Sequence, residues 1–307
     1  MSRTITVGLD GSAESRAAAE WAAREAELRD LPLQLLHVWQ PAPAPIAQAP
    51  LVGAETFAHW TGRIPREAAE GLRLRHPGVT VTTEQVSGVP AEALVAAVDN
   101  ADVLVLGTRG LGRIAGYTVG SVSMSVIAHA RVPVVLVRAG EQAADEHLVD
   151  AAGMPSTATD YLPVILGLDT NNADDTVISF AFEEAGRRRT PLRAVHCWNV
   201  APYYVHGLPM DPVLRQEIVL REAAALSEAL EPWRRKYPAV EVIEDSRFDS
   251  PALHLVRIAR EGSLLVVGRR VRRRPFGTHI GPVVHAVLHH ATTPVAVVAH
   301  GAAHAGG

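Results

Sequence analysis

Short apolar runs alternate with helix-length amphipathic stretches along the whole chain. In its first half the runs predict five strands, Thr4–Asp10, Leu33–Trp39, Val79–Val86, Val103–Gly107 and Pro133–Arg138. Several of these runs are apolar on both faces, which is typical of parallel strands that helices cover on each side. The patterns between them predict helices through residues 18–28, Glu55–Arg75, Pro90–Val98 and Gly120–Ala130. Regular alternation of strand and helix indicates an α/β fold with a parallel sheet and right-handed crossovers.

The second half of the chain repeats the first at a nearly constant offset. Val7-Gly8-Leu9-Asp10 recurs as Leu166-Gly167-Leu168-Asp169, and Gly107 has its counterpart in Gly268. The matching strands of the second half are Leu162–Asp169, Leu192–Trp198, Val240–Arg247, Leu264–Gly268 and Val295–Val298. Because the register drifts so little, two homologous domains are indicated.

The repeat also sets the expected domain boundaries. We expect a first domain over residues 1–139, a linker over 140–160, a second domain over 161–300 and a tail over 301–307. In each domain the expected architecture is an open parallel five-stranded sheet in the order 3-2-1-4-5, with helices on both faces, in a Rossmann-like arrangement. The fifth strand ends each open sheet, and such an edge has backbone groups that must be covered.

Composition narrows the class of protein. A length of 307 residues suits two ordinary domains, and 48% hydrophobic with 20% charged residues is a globular composition. The net charge of −4 gives no reason to expect nucleic acid or an anionic membrane as a partner. The single Cys197 excludes an intrachain disulfide. No apolar run reaches the roughly 20 residues of a membrane span, and no signal-peptide core follows the N-terminus, so we expect a cytoplasmic protein.

A glycine-rich segment follows the fourth strand of the first domain. It reads Gly107-Thr108-Arg109-Gly110-Leu111-Gly112, and Gly120-Ser121-Val122-Ser123 opens the next predicted helix. Glycines let backbone amides approach a polyanion, and a helix N-terminus adds N–H groups and a positive dipole end. In the 3-2-1-4-5 order, Asp10 and Val38 reach the same crevice, where open sheets bind ligands. The pattern predicts a phosphate site, and a tight turn without ligand is the alternative.

The spacing Gly-x2-Gly-x9-Gly-Ser at residues 107, 110, 120 and 121 resembles the ATP-binding branch of the universal stress protein family. The segments Val7–Ser12, Leu36–Val38 and Val132–Val135 resemble the same family. The likeness covers nearly the whole chain, as a tandem of two such domains of the kind common in actinobacteria. It implies an adenine nucleotide alpha hydrolase-like fold and a nucleotide ligand.

The resemblance implies an ATP site in the first domain. Asp10 would lie at the adenosine end, and the backbone of Val38 would lie at the adenine edge. The residues implied to border ribose and phosphates are Gly107, Thr108, Arg109, Gly110, Gly120, Ser121, Val122 and Ser123. No direct metal motif accompanies them, so Mg²⁺ would arrive with ATP.

The second domain departs from this pattern. Gly268 and Gly281 keep the separation of Gly107 and Gly120, but Val271 replaces the middle glycine and Pro282 replaces the serine. Val271 disfavours a positive φ, and Pro282 lacks an amide donor. A weaker second site is expected, with Asp169, Gly268, Arg269, Arg270, Gly281 and Val283. The arginine-rich run that starts at Arg269 is either a solvated loop or a segment that binds a polyanion.

Three classes of function remain open. The chain is a nucleotide-binding stress sensor or regulator, a slow ATPase or nucleotidyl-transferring enzyme, or an assembly module without ligand. Neither a P-loop Lys-Ser/Thr pair nor a Gly-x-Gly-x-x-Gly motif is present at the expected place. The one acid expected near the site is Asp10, and it is expected at the nucleoside end and not beside the phosphates. A sensor is therefore favoured over a fast enzyme. The resemblance also implies intrachain pairing of the two fifth strands and suggests a homodimer.

Overall fold

The chain divides into two units, Met1–Gln142 and Ala143–Gly307, in the computed structural model. The structure describes residues 3–40, 62–99, 101–108, 120–199, 211–271 and 280–301. No helix in these ranges is long and apolar enough to cross a membrane.

Unit 1 contains the elements that the apolar pattern predicts. Its strands are β1 (Thr4–Leu9), β2 (Leu33–Trp39), β3 (Val81–Ser87), β4 (Ala101–Thr108) and β5 (Val134–Arg138). Its helices are α1 (Ala13–Arg29), α2 (Arg63–Arg75), α3 (Pro90–Ala97) and α4 (Ser121–His129). Every strand end lies within two residues of its predicted position. The predicted start of the second helix, Glu55, lies outside the described residues.

The sheet of unit 1 has the predicted order, β3-β2-β1-β4-β5, and all its neighbouring strands are parallel. Val7 at its centre pairs with Leu35 of β2 on one side and Val105 of β4 on the other. Helices cover both faces of the sheet. Gly107 of β4 faces α1, and the preceding residue, Leu106, points to the opposite face and lies beside Leu94 of α3. The fold class is confirmed.

Local signals explain where α1 begins and ends. The Ser12 side chain accepts a hydrogen bond from the Ser15 backbone N–H and caps the first turn. The helix stops at Asp30, whose left-handed conformation (φ 53°) lets its N–H bond the last carbonyls. Alanines and the fully buried Trp21 form the inner face of the helix. Because alanine is small, the backbone of α1 lies close to the sheet and directly against Gly107.

Unit 2 repeats this architecture. Its strands are β6 (Val164–Gly167), β7 (Leu192–Trp198), β8 (Val242–Phe248), β9 (Leu264–Arg270) and β10 (Val295–His300). Its helices are α5 (Asp175–Arg188), α6 (Pro212–Lys236), α7 (Pro251–Ile258) and α8 (Pro282–His290). The strand order is β8-β7-β6-β9-β10, again parallel throughout. This order is the predicted one.

The segment expected to be a plain linker has structure of its own from residue 143 onward. A 3-10 turn at Ala143–Glu146 leads into isolated bridges, one of which joins His147 to Tyr161. The rings of these two residues lie 4.0 Å apart, and Thr190 donates its hydroxyl to the Tyr161 carbonyl at 2.8 Å. Single bridges and side-chain bonds follow no sequence period, so the apolar pattern could not show them.

Candidate functional site

Asp10 lies just beyond β1, at the carboxyl edge of the unit 1 sheet. Its Oδ1 accepts the Ser12 backbone N–H at 2.9 Å and the Ser12 hydroxyl at 2.5 Å. Partial burial raises the pKa of Asp10, but the Ser12 bonds and a contact with Ser15 outweigh it and lower the pKa below its ordinary 3.8. The carboxylate is therefore ionised at neutral pH. Both Ser12 bonds go to Oδ1, so Oδ2 is the less engaged of the two carboxylate oxygens.

The register of the sheet brings Val38 and Thr108 to either side of Asp10. Leu9 pairs with His37 of β2 and Gly8 pairs with Leu106 of β4, so the next positions along the strands meet at this edge. Val38 is half-buried and Thr108 is buried. The predicted contacts Arg109 and Gly110 lie outside the described residues.

Gly107 has a packing role that the sequence did not indicate. A Cβ atom at this position would lie 2.4 Å from the carbonyl carbon of Glu14 and 2.7 Å from the backbone N of Ser15. These atoms are backbone of the first turn of α1, so no side-chain rotation can relieve the clash. Gly107 is therefore required for the close approach of α1 to β4, whatever it contributes to a ligand.

The N-terminus of α4 is an open group of donors. Gly120 is its N-cap residue, with an ordinary φ of −57° and no side-chain cap, and no heavy atom of the described residues lies within 4 Å of a Cβ built there. The helical bonding starts with Met124 N–H to Gly120 O at 3.1 Å, so three amides precede it. Ser121 and Val122 are exposed, whereas the buried Ser123 directs its hydroxyl to the Gly107 carbonyl at 3.5 Å. An anion fits at this helix end.

His37 is a polar residue of unit 1 that the site prediction did not include. Its Nδ1 lies 2.7 Å from the Leu9 carbonyl, while its buried Nε2 has no partner in the described part of the chain. The counterpart in unit 2, His196, is bound at both nitrogens, to Leu168 O and to Glu222. In the sequence, His37 recurs as His196 at the offset of the repeat, and this recurrence is the signal that could have pointed to the position.

Unit 2 contains a cavity of about 590 Å³ at the carboxyl edge of its sheet. All the residues predicted for the second site line it, namely Asp169, Gly268, Arg269, Arg270, Gly281 and Val283. Its wall also includes three groups that the sequence prediction did not assign to a site, Asp174, Cys197 and His300. The volume lies within the range of small-molecule pockets.

Asp169 differs from its counterpart Asp10 in having both carboxylate oxygens engaged. Oδ1 accepts the Asn171 backbone N–H at 3.1 Å, and Oδ2 accepts the Asn172 side-chain amide at 2.8 Å. Arg270 in turn donates to the Asn172 side-chain oxygen at 3.1 Å. Asp169 is thus part of a hydrogen-bonded turn, and its acceptors are less available to a ligand.

Three cationic or ionisable groups contribute to the same wall. Arg269 is only 5% exposed, and burial lowers its pKa, although an arginine stays charged at any physiological pH. Burial also lowers the pKa of His300, against the opposing effect of Asp174, whose Oδ2 lies 3.5 Å from His300 Nδ1. Arg270 adds its charge nearby and lowers the same pKa further.

The floor of the cavity is apolar, with a neutral thiol. Val177, Val195, Leu255 and Val267 line it together with Cys197. Burial raises the pKa of Cys197 to about 11, with Asp249 and Asp245 adding to the effect, so the thiol is protonated and a weak nucleophile. This floor suits the flat face of an organic ring.

Pro282 costs the second site only one backbone amide donor, which weakens the site less than the sequence suggested. It occupies the first position of α8, after the N-cap residue Gly281, where proline replaces one of several unbonded amides. The amides of Val283 and Val284 remain, and both residues line the cavity. No side chain in the described ranges caps this helix end.

Comparison with known proteins identifies the family. The model of the universal stress protein family matches residues 1–138 and 160–299. The chain is 35% identical to a universal stress protein of Mycolicibacterium smegmatis over 300 residues, covering 96% of each chain, and 34% identical to one of Mycobacterium tuberculosis over 301 residues, covering 95% of each. A universal stress protein structure from Archaeoglobus fulgidus has the same fold, with a TM-score of 0.68, 15% identity, and coverage of 98% of this chain and 100% of that one. This chain therefore belongs to the universal stress protein family and contains two of its domains in tandem.

Proposed function

We propose that the protein binds ATP with Mg²⁺ in unit 1 and acts as a sensor or regulator in a stress response, not as a fast enzyme. The observation that carries this proposal is the N-terminus of α4 at Gly120, which no side chain of the described residues caps and which lies at the same sheet edge as the ionised Asp10. The N-terminus of α4 supplies hydrogen-bond donors for phosphate, and the carboxylate of Asp10 supplies an acceptor for a nucleoside.

The helix end is suited to the phosphates. The amides of Ser121, Val122 and Ser123 precede the first helical bond, and the dipole of α4 places partial positive charge there. The open space at Gly120 lets a phosphate oxygen approach the backbone. The family resemblance adds Arg109 and Gly110 of the loop before α4 to this end of the site.

The β1 edge is suited to the nucleoside. An ionised carboxylate only accepts hydrogen bonds, and the adenine amino group and the ribose hydroxyls are donors. Oδ2 of Asp10 is available for such a bond because Ser12 occupies Oδ1. The backbone of Val38, on the neighbouring strand, would border the adenine edge.

Magnesium would enter this site with the nucleotide. Mg²⁺ prefers oxygen ligands and usually retains waters while it bridges phosphates. The hydroxyls of Ser121 and Ser123 are oxygen groups at this helix end. In the described ranges no three His, Cys, Asp or Glu side chains form a metal cluster.

The chemistry of Asp10 argues against rapid hydrolysis. A general base is most effective when its pKa lies near the working pH, whereas hydrogen bonding holds the pKa of Asp10 below its ordinary value. A slow ATPase remains the alternative function. A turnover number near 1 s⁻¹ or above would lie in the usual enzyme range and would replace the sensor assignment.

Calorimetry with the full chain tests the proposal. We expect MgATP to bind and Gly120→Glu to abolish the unit 1 site, because a carboxylate there blocks the helix end and repels phosphate. Gly78→Glu is the matched control, since Gly78 also has open space around it but precedes β3 at the opposite edge of the sheet. Unchanged ATP affinity and stoichiometry in a folded Gly120→Glu protein would refute the unit 1 site.

A further inference from the structure

The first helix of unit 2 begins later than its counterpart in unit 1, and this difference reshapes the site. In unit 1 the α1 backbone lies against Gly107. In unit 2 a 3-10 turn at Thr170–Asn172 intervenes, with Asp169 capping it, and α5 starts only at Asp175. A Cβ at Gly268 would consequently meet side chains, the His300 ring at 3.0 Å and Val177 at 3.1 Å. In unit 2 the imidazole of His300 occupies the space over Gly268 that corresponds to the space filled by the α1 backbone over Gly107 in unit 1.

The net charge of the cavity wall depends on whether the imidazole of His300 is protonated. In the described part of the chain, the acidic and basic side chains that line it belong to Asp169, Asp174, Arg269, Arg270 and His300, and the Cys197 thiol is neutral. The two carboxylates and the two guanidinium groups balance, so the protonation of His300 leaves one net positive charge. Both carboxylates are also engaged locally, since Asp169 bonds its own turn and Asp174 caps α5 through Thr176 N–H at 2.9 Å. Arg270, which donates to Asn172, and His300, which lies 3.5 Å from Asp174, are the cationic groups through which this wall can bind an anion.

We propose that the unit 2 cavity is a second nucleotide site in which Arg270 and the protonated imidazole of His300 hold the phosphate that glycine amides would hold in unit 1. The inference rests on the proposed function for its ligand class. The apolar floor beside Cys197 takes the base, and the amides of Val283 and Val284 at the start of α8 add donors at the phosphate end. Substituting Val271 and Pro282 for the family's glycine and serine thus changes how phosphate is bound.

Binding in this cavity takes up a proton. The groups that act on His300 are Asp174 ahead of α5 and the guanidinium groups of Arg270 and Arg269 on β9, while α8 contributes only apolar residues to the wall. Burial lowers the pKa of His300 in the free protein, and a phosphate beside it raises that pKa. Affinity is then greatest below the pKa of the free protein and is lost as pH rises through the pKa of the complex.

The experiment uses AMP as the probe and the full chain carrying Gly120→Glu, so that the α4 phosphate end of unit 1 is closed. Affinity is measured by calorimetry at pH 6 and pH 8, for this parent and for His300→Gln added to it. The phosphate of AMP also titrates near pH 6. Its titration is common to both proteins and cancels in the ratio of their affinities. We expect the parent to bind about tenfold more tightly than His300→Gln at pH 6, with the ratio near one at pH 8.

Two further variants locate the phosphate. Arg270→Ala should weaken AMP binding about tenfold at both pH values, the equivalent of one lost charge-assisted contact of about 1.4 kcal/mol. Gly281→Glu should abolish AMP binding, because Gly281 has the same open surroundings in unit 2 as Gly120 has in unit 1. Adenosine, which lacks phosphate, should bind the parent weakly and with no difference between His300→Gln and the parent. Circular dichroism melts confirm that each variant is folded.

The results separate this inference from the proposed function. A parent that binds no AMP, or an affinity ratio that is the same at pH 6 and pH 8, overturns the unit 2 inference whatever unit 1 does. If Gly120→Glu leaves the ATP stoichiometry unchanged while Arg270→Ala and His300→Gln act as expected, the unit 1 proposal fails and the unit 2 site stands.

Discussion

Replacement of Gly107 by alanine tests whether this glycine serves the fold. In the native backbone the new Cβ would lie 2.4 Å from the Glu14 carbonyl carbon, 2.5 Å from its oxygen and 2.7 Å from Ser15 N. Ordinary contacts of a Cβ begin at 3.4 Å, so α1 and β4 must separate by about 1 Å. The inner face of α1, with Trp21 and its alanines, would lose contact with the sheet as a result.

The expected cost follows from overpacking. Forcing extra atoms into a close-packed core costs about 1–3 kcal/mol, and here the obstacle is backbone, so we expect the upper part of this range. At about 2–4 °C per kcal/mol for a domain of this size, a cost of about 2–3 kcal/mol should lower the melting temperature of unit 1 by roughly 4–12 °C. The measurement is a calorimetric or urea unfolding curve of the full chain.

Gly268→Ala is the matched control in unit 2. Its Cβ would touch the His300 ring at 3.0 Å and Val177 at 3.1 Å, and both are side chains that can shift by a few tenths of an ångström. The reduced backbone freedom of the unfolded chain contributes about 0.4–1 kcal/mol in the opposite direction. We therefore expect little net change. Equal losses of stability in the two variants would refute the backbone-contact argument for Gly107.

Three further predictions concern burial, the cavity and assembly. Arg188 and Glu184 form an ion pair with both side chains fully buried, and Arg187 also donates to Glu184 at 2.6 Å. Arg188→Ala therefore removes one of two charged partners and should lower the free energy of urea unfolding by about 1.5–3 kcal/mol, and an unchanged free energy would contradict this. AMP should slow the alkylation of Cys197, the single cysteine, if the cavity binds the base; an unchanged rate in the presence of saturating AMP would speak against it. The edge at the fifth strand is predicted to be covered, so the amide hydrogens of Val134–Val137 should exchange slowly, and fast exchange would argue against this. The chain is predicted to form a homodimer, so light scattering should give twice 32.8 kDa, and a monomer mass would argue against it.

The arrangement of the two sheets could be predicted from the sequence because it rests on local periodicity and on the repeat. Runs such as Val103–Gly107 are apolar on both faces, which identifies buried parallel strands without knowledge of their neighbours. The recurrence of Val7–Asp10 as Leu166–Asp169 then fixed the same strand order in both halves. The segment from Ala143 to Tyr161 was not predicted in this way, because its bridges and side-chain bonds have no period.

The candidate sites were predictable only in part. Sequence spacing placed Gly107 and Gly120 in one pattern, and the structure separates their roles. Gly107 lies against backbone of α1, whereas Gly120 has open space around it. Spacing along the chain cannot show this difference, because it depends on how closely a helix from another part of the sequence approaches each glycine.

Apolar periodicity and the internal repeat were enough to predict two α/β domains, their strand order and the sheet edge at which Asp10 and Asp169 follow the first strands. Only the tertiary structure brought His300, at the end of the last strand, together with Asp174 ahead of α5 and Arg270 of β9. These residues are far apart in sequence and belong to no common motif. They meet because α5 starts late enough to leave space over Gly268, and that depends on the packing of the folded domain.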